Sequence, residues 1–160
     1  MRTVVQFLLA VLFSATAATG SAQKPKPAPA GQSTQKFKPP KLTSKLGIHS
    51  DSATVIIEEA LQLVNLPLKI TDDKKNPYSI SSYQLMYKRK GVTEDEETGK
   101  VSPTTTNVAQ LFRETPLPAL WKKILTEQLK QGDELYFFDV IAKDAQGRYM
   151  FAPELRIRVK

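Results

Sequence analysis

The chain has 160 residues, a formal net charge of +7, one histidine and no cysteine. Without cysteine it is neither a lipoprotein held through a lipidated cysteine nor a disulfide-stapled secreted module, and one histidine supplies a zinc site poorly. The excess charge is local: residues 23 to 45 hold six lysines and no acid, whereas residues 46 to 160 carry sixteen basic and sixteen acidic residues. That neutral body and the absence of phosphate-cradling glycine motifs argue against nucleic acid as a partner.

The first stretch, "MRTVVQFLLAVLFSATAATGSAQ", has a basic start at Arg2, an apolar run from Val4 to about Ala18, and then small residues. This is the layout of a secretory signal peptide, with cleavage expected after Ala22. The apolar run is short against the roughly 20 residues that cross a bilayer. The expected location is therefore periplasmic or secreted, after removal of residues 1 to 22.

Residues 23 to 45 follow as a Lys/Pro-rich linker. Proline favours extended conformations and like charges repel, so a solvated spacer is expected. Its lysines, Lys24, Lys26, Lys36, Lys38, Lys41 and Lys45, are candidates for contact with an anionic polymer, an attraction that salt would screen. Residues 46 to 160 then have the size and mixed polarity of one domain.

Within that domain, "LGIHSDS" places His49 beside Ser50, Asp51 and Ser52. A catalytic triad needs such groups converging in space, and sequence neighbours in an extended chain point apart, so a polar loop is expected. "TVIIEEALQLV" reads as a strand through Val55 and Ile56 and then a short helix, because Ile57, Leu61 and Val64 lie at helical spacing. "LPLKITDD" reads as a strand with Leu66, Leu68 and Ile70 on one face, ending in a turn over 72 to 76.

"YSISSYQLMYKRKG" alternates Tyr83, Leu85 and Tyr87 with polar neighbours and is expected to be a strand ending at Gly91. The three-residue step from Ile80 to Tyr83 breaks the alternation and suggests a bulge or burial on both faces. The acids Glu94 to Glu97 are consecutive, unlike the spaced ligands of a calcium loop, so they are expected in a solvated loop.

"ETPLPALWKKILTEQLKQGD" carries helix signals: Thr115 as cap, Pro116 at the first position, and Gly132 as stop. Leu117, Leu120, Trp121, Ile124 and Leu125 form one apolar stripe suited to packing on a sheet. In "ELYFFDVIAK", Tyr136, Phe138, Val140 and Ala142 are assigned one strand face and Leu135, Phe137 and Ile141 the other, as in a central strand. Asp139 is expected as a buried acid with a structural hydrogen-bond partner. "DAQG" turns the chain at Gly147, and Leu155, Ile157 and Val159 point inward opposite Arg156, Arg158 and Lys160. Trp121, Tyr136 and Tyr149 are weighed as an aromatic platform for carbohydrate, against core packing of Trp121.

The motifs of residues 77 to 160 resemble the C-terminal domain of the gliding-motility protein family GldM. They are Ile80-Ser81-Ser82-Tyr83, the run from Lys130-Gln131-Gly132-Asp133 to Ala142 after a short helix, the hairpin at Gln146-Gly147, and Pro153 before the last strand. The resemblance implies a mainly β fold, an immunoglobulin-like antiparallel β-sandwich with one short amphipathic helix. It also implies protein contacts in the cell envelope, in the setting of type IX secretion and gliding. The combined expectation is an exported, non-enzymatic protein-interaction module with envelope proteins as partners. No catalytic, cofactor-binding or metal-ligating residue is assigned. The alternative is a module that binds glycan or anionic surface polymer through the Lys/Pro segment and surface aromatics.

Overall fold

In the computed structural model the described residues are 37 to 160; the expected signal peptide and the linker as far as Lys36 lie outside them. The order of elements is β1 (Leu42–Leu46), β2 (His49–Ser50), β3 (Ser52–Val55), α1 (Ile57–Val64), β4 (Leu68–Asp72), β5 (Pro77–Glu94), β6 (Val101–Phe112), α2 (Ala119–Gln128), β7 (Glu134–Lys143), β8 (Tyr149–Ala152) and β9 (Leu155–Val159). The fold is mainly β and sandwich-like, as expected, built from one strongly curved nine-stranded sheet in the order β2-β1-β4-β5-β7-β9-β3. Strand β6 pairs with β5, and β8 with β7. The short helix expected from Ile57 to Val64 is present as α1, so the fold carries two helices, and β3 joins β9 in parallel, which an all-antiparallel sandwich does not do.

The folded unit begins earlier than residue 46. Strand β1 pairs with β4 from Leu42 to Leu46, and both leucines are buried. Their alternation with polar residues is the two-residue period of a half-buried strand. No helix among the described residues is long and apolar enough to cross a membrane.

Strand β5 holds the sheet together by changing partners along its length. It meets β4 at Pro77 and Tyr78, β7 from Ser79 to Lys88, and β6 from Tyr83 to Glu94. The anomaly at Ile80 to Tyr83 is a register shift, since Ile80 faces Ala142 while Ser82 faces Ile141. A second shift follows at once on β7, where Asp139 adopts φ 47°. This bulge changes the parity of β7. Val140 and Ala142 turn into the core with Leu135 and Phe137, leaving Tyr136 and Phe138 half-buried on the opposite side. The expected grouping of Tyr136 and Phe138 with Val140 and Ala142 is thereby corrected, because one extra residue flips every later side chain.

Strand β5 also runs past Gly91 to Glu94, and "VSPTTTNVAQLF", assigned no strand from sequence, is β6. From Arg89 onward β5 has β6 as its sole partner, so residues 89 to 106 form a two-stranded ribbon with Glu94 to Glu97 at its exposed tip.

Helix α2 starts later than its sequence signals suggest. Thr115 does not cap it; its hydroxyl accepts the Leu68 amide at 2.7 Å, tying the pre-helix loop to β4. The helix also ends before Gly132, with Leu129 extended. Leu117, Trp121 and Leu125 are buried as expected, whereas Leu120 is exposed. Trp121 packs edge-on against Phe112 with centroids 5.5 Å apart and donates to Gln110 on β6 at 2.6 Å. Leu66 lies outside β4 and is exposed, while Leu68 and Ile70 are buried.

The buried acid is Asp133, not Asp139. Asp133 is 1% exposed, and its carboxylate accepts the Lys90 amide at 2.9 Å, the Lys130 amide at 2.9 Å and the Tyr87 hydroxyl at 2.7 Å. Tyr87 also approaches the Gln128 carbonyl at 2.9 Å. Burial, then the hydrogen bond and charge of Asp133, raise the Tyr87 hydroxyl pKa well above its ordinary value. The end of α2, the start of β7 and the middle of β5 thus meet on one carboxylate. Replacing it strands amide donors without acceptors, a penalty of about 1–3 kcal/mol for each buried group left unpaired. Asp133→Asn presents an amide nitrogen where only an acceptor fits, so urea unfolding should show a loss of about 3 kcal/mol. Tyr87→Phe, which leaves both amide contacts intact, should lose about 1 kcal/mol. Equal losses would mean that the two amides do not depend on Asp133.

Candidate interaction surface

Side chains of residues paired directly across strands share a face, so the register defines the outer surface of the sheet. One row runs Ala109, Met86, Tyr136, Arg156 and Ser52 across β6, β5, β7, β9 and β3; the next runs Asn107, Lys88, Glu134, Arg158 and Thr54. Leu111, Gln84 and Phe138 begin a third row on one side, and Thr105 with Lys90 continues the face on the other. The inner face opposite these rows carries Tyr83, Leu85, Tyr87, Leu135, Phe137, Leu155 and Ile157, all buried. The outer face is therefore graded, with an apolar end of Leu111, Ala109, Met86, Phe138 and Tyr136 and a basic end of Lys88, Lys90 and Arg158.

The middle of this face is held by charge and ring contacts. The Tyr136 ring stacks on Phe138 at 5.0 Å, and the Arg156 guanidinium lies 4.1 Å over it. Its hydroxyl donates to Glu154, which also pairs with Arg156 at 3.0 Å. Beside it, Glu134 receives Lys88 on one oxygen and Arg158 on the other, both at 3.1 Å. Such cation contacts over a ring contribute about 0.5–1 kcal/mol at exposed sites, more as positioning than as stability.

The edge of the sheet at β6 is open. It spans twelve residues, about 40 Å of strand at 3.3–3.4 Å per residue, and contains no charged side chain. Its protection against strand addition is Pro103, a residue without an amide donor. Val101, Val108 and Leu111 are exposed along it.

The residues singled out from sequence fall elsewhere. His49 pairs through Nε2 with Glu59 of α1 at 2.7 Å, and the Asp51 carbonyl accepts the Arg156 amide at 2.7 Å with Asp51 at φ 63°. This fixes the loop next to the parallel strand pair; the hydrogen bond of His49 goes to Glu59 and not to its serine and aspartate neighbours. Asp139 is exposed and accepts Gln84 Nε2 at 2.7 Å, which corrects its expected burial. The acids Glu94 to Glu97 are all exposed, with Asp95 bound to the backbone of its own turn through Thr98 at 2.8 Å. Among the described residues no three His, Asp or Glu side chains gather in a metal-binding arrangement.

Trp121 is in the core, Tyr136 on the outer face and Tyr149 exposed at the far end of β7 and β8, so they form no common platform. Lys38, Lys41 and Lys45 are exposed, while Lys24, Lys26 and Lys36 lie outside the described residues. What sequence reasoning missed is the group of Lys88, Lys90, Glu134 and Arg158. Each is one polar residue in an alternating strand, and only the register brings them together.

Burial alone would raise the Glu134 pKa, but hydrogen bonds from Arg158 and Lys88 outweigh it and hold the carboxyl below the ordinary glutamate value. A depressed folded-state pKa contributes stability that is complete above the unfolded value near ~4.3 and is lost as pH falls through the lower folded value. Between about pH 5 and pH 3 the urea midpoint of Glu134→Gln should therefore fall less steeply than that of the unsubstituted chain. Parallel slopes would show that Lys88 and Arg158 do not stabilise the carboxylate.

No protein-family model matches this chain, and a search of curated proteins finds no match for it either. The likeness to the GldM C-terminal domain therefore stands on the strand, helix and hairpin motifs of residues 77 to 160 alone.

Proposed function

We propose that this chain is an exported, non-enzymatic protein of the cell envelope whose domain binds another protein along the open edge of β6 and the adjoining apolar end of the outer face. The observation that carries this reading is the twelve-residue, uncharged, unpaired edge. Edge strands are normally blunted by charged side chains, bulges or a covering element, because free amides and carbonyls template the addition of a strand. An edge of this length, next to exposed Leu111 and half-buried Met86, suits β-strand addition, with main-chain hydrogen bonds giving affinity and alternate side chains giving specificity. The signal-like first 22 residues support export, and the GldM resemblance supports a setting near gliding or type IX secretion components.

A glycan- or anionic-polymer-binding module is the second reading. It is supported by the exposure of Lys38, Lys41 and Lys45 at the start of the described chain.

Placing a photo-crosslinking amino acid at Thr104 on β6 in the native cells should yield a discrete protein adduct identifiable by mass spectrometry. The same group at Lys123 on the exposed side of α2 should not. Thr106→Lys, which introduces a charge into the edge, should reduce the Thr104 adduct about tenfold, since edge lysines oppose strand addition. Identical adducts at Thr104 and Lys123, or none at Thr104, would remove the edge from the reading.

A further inference from the structure

At the basic end of the outer face lies a cleft of about 250 Å³ lined by Thr54, Lys88, Lys90, Thr105, Glu134 and Arg158, with Gly132 and Val159 at its border. We infer that this cleft binds a tetrahedral oxyanion, a phosphate or a sulfate, either free or as an ester on a larger molecule. The cleft is unrelated to the β6 edge contact in its chemistry and stands or falls separately from it.

The charges set the class of ligand. Three cations line the cleft against one carboxylate, and Glu134 is shared by Lys88 and Arg158 at 3.1 Å each. The remaining charge is two positive units. Glu134 acts as a brace: with a side chain only 15% exposed, it holds an ammonium and a guanidinium at fixed positions on either side of it. Each of those cations keeps donors that Glu134 does not use, since Lys offers three and Arg five. Lys90 has no carboxylate within ion-pair distance among the described residues, and residues 1 to 36 contain no acid. Its stem is held close to Gly132, where a Cβ would stand 3.3 Å from Lys90 Cδ.

The hydroxyls narrow the class further. Thr54 on β3 and Thr105 on β6 both line the cleft, and neither hydroxyl makes a hydrogen bond among the described residues. A tetrahedral oxyanion offers acceptors in several directions at once, which a planar carboxylate does not. It can take the planar fork of Arg158 and the point charges of Lys88 and Lys90 together with a threonine hydroxyl. The position is also anchored from behind. Asp133, which precedes Glu134, binds the Lys90 amide, so the backbone that carries Lys90 and Glu134 is set by a buried carboxylate.

The test is titration of the purified chain with inorganic phosphate and inorganic sulfate, with glucose 6-phosphate, and with dextran sulfate, followed by amide shifts in NMR and by calorimetry. The expected result is saturable shifts at Lys90, Thr105 and Arg158, weakened as salt rises. Lys90→Ala should weaken binding about tenfold and Lys90→Glu should abolish it, each with an unchanged unfolding midpoint. Lys38→Ala with Lys41→Ala and Lys45→Ala should leave it intact. Tighter binding of the ester or polymer than of the inorganic ions identifies an esterified ligand, and equal affinity identifies the free ion. Absence of shifts at 10 mM of every probe overturns the inference. So does binding that survives Lys90→Glu or is lost with the three linker lysines instead.

Discussion

The carboxylate of Asp133 is the contact on which the architecture converges. A buried carboxylate is costly unless hydrogen-bonded, and Asp133 receives a backbone amide and a tyrosine hydroxyl from β5 and a second amide from the loop that follows α2. Those three donors fix where α2 ends, where β7 begins and how β5 lies beside both. The Gly132 amide, donating to the Val159 carbonyl at 2.8 Å, and the Val159 amide, donating to the Asp133 carbonyl at 2.9 Å, bring β9 to the same place. With β9 positioned, the parallel strand β3 can pair with it, and Val55 meets Val159 in the core. A single short loop therefore sets the relative placement of four strands and a helix.

The second constraint is the bulge at Asp139. Before it, the side chains of β7 alternate in one phase; after it, in the other. Without the extra residue, Tyr136 and Phe138 on one side and Val140 and Ala142 on the other could not serve different surfaces of the molecule. The bulge lets one strand fill the core at both ends while exposing two aromatic rings between arginine and glutamate partners. Across the sheet, Pro153 and Glu154 interrupt the return strand opposite this point, and Ser44 of β1 donates its hydroxyl to the Pro153 carbonyl. That bond links the β1 side of the sheet to the joint between β8 and β9.

These two constraints divide the surface into regions of different chemistry. One edge is long, uncharged and unpaired, and beside it an apolar strip grades into a cleft rich in cations. The cleft and the open edge share β6, since Thr105 lines the one and lies on the other. The His49 and Glu59 pair, by contrast, serves to fasten β2 to α1, and the acids of the ribbon tip are turned toward water.

Much of the fold was legible in the residues themselves. The period of two in "YQLMYK" and "LRIRV", the Gly147 turn and the Leu117, Trp121 and Leu125 spacing each report local burial, which depends on neighbours a few positions away. Strand β6 was not legible, because a strand exposed everywhere but at its last residue, Phe112, lacks a buried face and so carries no alternation; β5 pairs with it through the backbone. Nor was the exchange between Asp139 and Asp133, since both acids border the same apolar run and only the bulge decides which points inward. The sequence by itself determined the mainly β class, the neutral body behind a basic spacer and the inward residues of most strands, because hydrophobic periodicity is written locally. Only the tertiary structure decided which edge stays open and which cations share a cleft. Strand register joins residues 54, 88, 90, 105, 134 and 158 across a sheet, and no local pattern encodes that pairing.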